Sequence, residues 1–235
     1  MKGKRGSHVG VILSFVIFIG FLIFIYPLLI APAIKISNNK EFILEKTSTS
    51  LTSLMSAEMK TISITVANSS QDCVKLSNFL SSSEIDSRII VKNGQGGSEV
   101  AYVPNGDLDI VRGNTEDNFF KIYNSEEFDE LGTSHQGSCG SKSYEIGLAK
   151  KDNYIFETEV SNVVAQYNGN YANLKNNLNI SQNSEFDFEF TYENRTSVGT
   201  EKETGGKSVY AKESQVQYVN KDGKILIGKI RVRVW

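Results

Sequence analysis

Residues 7–34 read SHVGVILSFVIFIGFLIFIYPLLIAPAI and contain no Asp, Glu, Lys or Arg. The apolar core of this run, Val9 to Ile30, would span ~33 Å as a helix at ~1.5 Å per residue. That length matches a hydrocarbon layer of ~30 Å. A charge-free stretch of this size is cheaper to leave in lipid than to expose or to fold into a soluble core. Lys2, Lys4 and Arg5 stand directly before it, where positive charge holds a flank on the cytoplasmic side. The sequence therefore predicts a basic leader over 1–6, a transmembrane helix over 7–34, and everything after it on the outer side. Ala31-Pro32-Ala33 also has the small-x-small form of a signal-peptidase site. The apolar core is longer than the roughly 7–15 residues of a cleaved signal, which favours a retained anchor. Pro27 and Pro32 should each kink or end the helix, since proline removes a backbone N–H and crowds the preceding turn.

The rest of the chain has an ordinary globular composition. Of 235 residues 22% are charged, and the formal net charge is -2. This balance argues against nucleic acid as a partner, because phosphate binding needs a concentrated basic surface. About 200 residues remain after the anchor, enough for one domain with a real core.

Hydropathy periods give the outline of that domain. Leu44, Leu51, Leu54, Met55 and Met59 form an imperfect helical stripe in a stalk over 35–60. Ile62, Ile64 and Val66 alternate with polar residues, the period of a half-buried strand. Val100–Val103 and Leu108–Val111 flank Pro104-Asn105-Gly106-Asp107, a hairpin signal because Asn-Gly accepts positive φ. Phe119–Tyr123 and Tyr144–Leu148 are further strand candidates. Val160, Val163, Val164, Tyr167, Tyr171, Leu174 and Leu178 repeat as one face of an amphipathic helix, with a possible interruption at Gly169 between two asparagines. Phe186, Phe188, Phe190 and Tyr192 then alternate with acidic residues. A turn over Asn220–Gly223 leads into a last strand in which Lys229, Arg231 and Arg233 oppose Leu226, Ile230, Val232 and Val234. The basic stripe is read as pairing with the acidic face around Glu189 across a sheet ladder, in preference to a site for an anionic polymer. The expected fold class is α+β: an N-terminal transmembrane helix, then an antiparallel β-rich extracytoplasmic domain over 61–235 with one amphipathic helix.

Residues able to carry chemistry are few. Cys73 and Cys139 are the two cysteines, and an outer compartment makes one disulfide the natural inference. Free thiols, or a bridge between subunits, are the alternatives. Gln136-Gly137-Ser138-Cys139-Gly140-Ser141 has the look of a papain-like nucleophile loop, but no histidine follows His135 to act as base. His135, Cys139 and Cys73 would supply only three of the four ligands of a structural zinc. Asn105, Asp107 and Asp109 have calcium-loop spacing, yet Ile110 occupies the glycine position and no bidentate Glu follows. No catalytic site, metal or cofactor is expected. Asn68-Ser69-Ser70, Asn179-Ile180-Ser181 and Asn194-Arg195-Thr196 are possible glycan acceptors on an exterior domain.

One family resemblance bears on function. The opening Lys2-Gly3-Lys4-Arg5-Gly6-Ser7, followed by the apolar stretch Val9–Tyr26, resembles archaeal type IV prepilins with a class III signal peptide. The resemblance implies cleavage after Gly6, Ser7 as the mature N-terminus, and a helix that stays on the protein and packs in a filament. Val11 stands where many type IV pilins carry Glu. The expected function is a non-enzymatic, single-pass surface protein of the cell membrane, a pilin-like subunit or minor pilin. Its expected partners are membrane lipid and identical or related subunits. The alternative is a permanently anchored extracellular module that binds a carbohydrate or envelope partner.

Overall fold

The computed structural model describes residues 7–68, 70–134 and 137–235, with only the backbone path given for 7–9 and 27–39. One helix, α1 (Ser7–Leu54), takes up 48 residues. Its two halves have opposite environments. Large apolar side chains from Val11 to Tyr26 stand exposed, Phe24 at 70% and Tyr26 at 69%. Leu51 and Met55, by contrast, are fully buried in the head, and Leu44 nearly so. Among the described residues no helix is long and apolar enough to cross a membrane, and the side chains described in the apolar run are those from Gly10 to Tyr26 alone. The transmembrane helix expected over 7–34 therefore gains no support from the described residues.

α1 runs on past Pro27 and Pro32 and ends at neither, and the side chains around both lie outside the described residues. The stretch expected as a stalk is helical to Leu54 and becomes a strand at Ser56. Its stripe of Leu44, Leu51 and Met55 is a core face rather than the seam of a free stalk.

The chain continues as β1 (Ser56–Val66), β2 (Cys73–Leu76), a short α2 (Phe79–Ser83), β3 (Ile89–Asn93), β4 (Ser98–Tyr102), β5 (Leu108–Val111) and β6 (Phe119–Asn124). Then come β7 (Gly140–Ser141), β8 (Tyr144–Phe156), α3 (Glu157–Asn177), β9 (Phe186–Thr191), β10 (Ser197–Gly199), β11 (Tyr210–Val219) and β12 (Ile225–Val234). The strands join in the order β10-β9-β12-β11-β8-β1-β6-β3-β4-β5-β2-β7. The architecture is α+β with a large mixed sheet. The expected antiparallel pairing dominates, but β8 with β11, and β2 with β7, pair in parallel. Both parallel contacts join strands distant in sequence, which no hairpin signal announces.

Two cores lie along this sheet. In the first, the C-terminal half of α1 and helix α3 cover β9, β11 and β12, burying Leu51, Val163, Phe186, Phe188 and Val232. In the second, β1 to β6 enclose Ile62, Ile64, Phe79, Leu108 and Phe120. Met59, Phe128, Phe156 and Val219 form a smaller cluster, its members drawn from β1, β8, β11 and a loop. Local sequence accounts for much of this. Asn105 and Gly106 have φ of 53° and 86°, as a tight β4–β5 hairpin requires. α3 carries the expected apolar stripe, and its helical geometry breaks at Asn170 (φ −152°, ψ 70°). There the Asn170 Oδ1 accepts the N–H of Asn173 at 3.1 Å, capping the second helical piece.

Candidate functional site

The C-terminal sheet carries the densest polar arrangement on its face away from α1 and α3. Arg231 lies directly opposite Glu189 in the β9–β12 register, and Arg231 Nη1 donates to Glu189 Oε2 at 3.3 Å. The pairing read from the sequence is present. A second acid, missing from that reading, completes it: Glu213 on β11 accepts from Arg231 at 3.0 Å and from Lys229 at 3.1 Å. The basic stripe of β12 is thus flanked by carboxylates on both sides. Arg233 makes the tightest contact, its Nε and Nη2 donating to both oxygens of Asp187 at 2.7 and 2.6 Å. Asp187 is 1% exposed, and this carboxylate holds the Arg233 guanidinium above its ordinary pKa.

Asp187, Glu189, Arg231 and Arg233 line a cleft of about 390 Å³ over β9, β10 and β12, rimmed by Ser197, Gly199, Thr200 and Glu201. Among the described residues both cations of this lining, Arg231 and Arg233, are already bonded to carboxylates, so it offers no spare cation to hold an anionic polymer. We expect Arg231→Glu to lower stability and Glu189→Arg to restore part of it, with a coupling of at most ~1 kcal/mol because the pair is half exposed. A double-mutant cycle in urea measures this, and zero coupling would remove the pairing as a source of stability.

A second cluster joins α3 to β9. Glu185 accepts from Tyr171 Oη at 2.7 Å, Lys175 Nζ at 3.1 Å and Lys202 Nζ at 2.5 Å. Partial burial alone would raise the Glu185 pKa, but hydrogen bonds from Lys202, Tyr171 and Lys175 outweigh it and hold the group at about 2. Burial and the same carboxylate push Tyr171 well above the usual phenol range. Nothing in the sequence flagged this cluster except the one-turn spacing of Tyr171 and Lys175, because Glu185 and Lys202 come from separate loops. A carboxylate depressed in this way stabilises the fold above its unfolded pKa of 4.5 and loses that contribution as pH falls toward about 2. Glu185→Gln should flatten the acid limb of the stability curve in that window. An unchanged slope would assign acid sensitivity to other groups.

The remaining candidates resolve as follows. Cys73 and Cys139 form a disulfide, which ties the start of β2 to the loop entering β7. Cys139 is therefore no free nucleophile or metal ligand, and His135 and Gln136 lie outside the described residues. Asp107 accepts the N–H of Asn78 at 2.8 Å and faces Lys75, so its carboxylate ties the β4–β5 turn to the β2–α2 connection. Among the described residues no group of three His, Cys, Asp or Glu side chains is placed to hold a metal. Gly6 lies outside the described residues, and Ser7 is the first residue of the α1 path. Asn68, Asn179 and Asn194 are all exposed.

Fold and site together define a disulfide-clipped, β-rich α+β protein whose long first helix exposes apolar side chains near its start and gives one face to the core near its end. No known protein family, curated protein or solved structure matches the chain.

Proposed function

We propose that this is a non-enzymatic surface protein, held in a membrane by the N-terminal half of α1 and serving as a pilin-like subunit. The observation that carries the reading is the division of α1: its large apolar side chains from Val11 to Phe24 are exposed around the helix, whereas Leu44 and Leu51 on one face of its last turns are buried in the head. A helix hydrophobic all round needs lipid or other helices around it. The uninterrupted helical path from Ser7 to Leu54 would fix the head to whatever surrounds the apolar half. Lys2, Lys4 and Arg5 place the N-terminus in the cytoplasm by the positive-inside rule and the head outside, a compartment in which the Cys73–Cys139 bond persists. Cleavage after Gly6 and assembly with identical or related subunits complete the proposal.

Sequencing the mature N-terminus of protein recovered from membranes tests processing, with Ser7 the expected first residue. Immunogold labelling of filaments, lost with Gly6→Asp, tests assembly. A chain that still begins at Met1, with label confined to the cell envelope, replaces the pilin reading with that of a permanently anchored binding module. The polar cleft between β9, β10 and β12 would then be the first place to look for a carbohydrate or envelope ligand.

A further inference from the structure

The three sequons are equivalent as motifs but not as folded structures, and the geometry points to Asn194 as the acceptor for an N-linked glycan in the folded chain. The donor would be a polyprenyl-pyrophosphate-linked oligosaccharide. A transferase must draw three consecutive residues away from the fold and reach the Asn Nδ2. In the transfer, Nδ2 bonds to the anomeric carbon of the donor sugar. The bond from that carbon to the pyrophosphate oxygen breaks, its electron pair leaves on the lipid pyrophosphate, and the Nδ2 proton passes to a base of the transferase.

Asn194-Arg195-Thr196 forms the tip of the β9–β10 hairpin. The loop is closed beneath it by Tyr192 N–H to Thr196 O at 2.9 Å and Arg195 N–H to Tyr192 O at 3.0 Å. Arg195 takes φ of 68°, which turns the chain outward. The Asn194 Oδ1 accepts both the N–H and the hydroxyl of Thr196, at 3.0 and 2.7 Å. The two sequon side chains are thereby joined before any enzyme binds, and Nδ2 has no hydrogen-bond partner among the described residues.

The other two acceptors are tied down. Asn179 closes α3 at φ 53°, and its carbonyl accepts from Lys46 of α1 at 3.3 Å. The next residue, Ile180, is 7% exposed in the core, and the Ser181 hydroxyl accepts from Asn183 N–H rather than serving Asn179. Lifting this sequon would pull Ile180 from the junction of α1 and α3. Ser69 of the third sequon lies outside the described residues, but the Asn68 Oδ1 is held by Asn118 Nδ2 at 2.7 Å, beside a β1 residue, Val66, whose N–H bonds Asn118 O at 2.8 Å.

In the cell this inference rests on the outward head proposed above, so its test is made in vitro, where topology plays no part. Full-length folded protein in detergent is incubated with a purified oligosaccharyltransferase and its lipid-linked oligosaccharide, and sites are read by mass spectrometry of glycopeptides. The expected product carries glycan at Asn194 alone. It is lost with Asn194→Gln or Thr196→Ala and kept with Thr196→Ser. Short synthetic peptides spanning each sequon should all be accepted, showing that the fold makes the selection. Glycan at Asn68 or Asn179 of the folded chain as readily as at Asn194, no glycan at Asn194, or rejection of the Asn68 and Asn179 peptides would each overturn it. Head orientation is measured separately, by labelling intact cells with a membrane-impermeant lysine reagent, so the two readings can fail independently.

Discussion

Leu51→Ala should destabilise the head by about 2–5 kcal/mol, the usual result of truncating a fully buried leucine in a core that cannot collapse around the gap. Leu51 belongs to the same helix as the exposed apolar run, yet it packs in the core formed with α3, β9 and β12. The loss would therefore establish that α1 is part of the fold and not a tether attached to it. Trp235 provides the probe: it is the single tryptophan, 3% exposed, and its N–H bonds Glu185 O at 3.0 Å beside the same core. Urea unfolding of the full chain in detergent, followed by its fluorescence, should show a lower midpoint for Leu51→Ala. Phe42→Ala is the control, because Phe42 is 67% exposed on the same helix and surface truncations usually fall within about 0.5 kcal/mol. Equal midpoints for the two variants would mean that the head folds without α1.

Removing the disulfide should cost a similar amount. Cys73 and Cys139 are separated by 66 positions, and closing a loop of that size is worth about 4 kcal/mol in the chain-entropy model, within a usual range of about 2–5. The bond anchors the least supported strand of the sheet: β7 pairs with β2 through Val74–Gly140 and Lys75–Ser141 only. The double variant Cys73→Ser/Cys139→Ser should thus show faster amide exchange first in 73–76 and 139–143. The core beneath α1 and α3 should keep its protection, since that core holds neither cysteine. Uniform loss of protection across both cores would show that the bond supports the whole head. An unchanged urea midpoint would show that it supports neither.

Much of the secondary structure was legible because its signals are local. The 3.6-residue stripe from Val160 marked α3, and the alternation of Phe186, Phe188 and Phe190 marked β9. Asn105-Gly106 marked the β4–β5 turn through two positive φ angles that few residue pairs adopt. β2, β3, β7, β10 and α2 were missed; each has five residues or fewer, too short for a period to show. Of the polar clusters, the Arg231–Glu189 contact was readable because alternation assigned each charge to a face and one ladder joined them. The Glu185 cluster was not, because Lys202 reaches it from a loop whose position depends on the completed sheet.

The sequence by itself determined where the apolar and charged surfaces lie along each element: the charge-free run of 7–34, the stripe of α3, and the two faces of β9 and β12. Only the tertiary structure decided which surfaces meet. It put β8 beside β11 in parallel, and it turned the expected stalk into a core helix. It also held Asn179 against α1 while leaving Asn194 at an open hairpin tip, whereas the Cys73–Cys139 bond was already inferred from the two cysteines and is present. The reason is physical. Periodicity is set by backbone geometry within a few residues, whereas the choice of partner depends on the free energy of contacts between segments tens of residues apart. Many pairings satisfy the same local pattern, and burial in the folded chain selects among them.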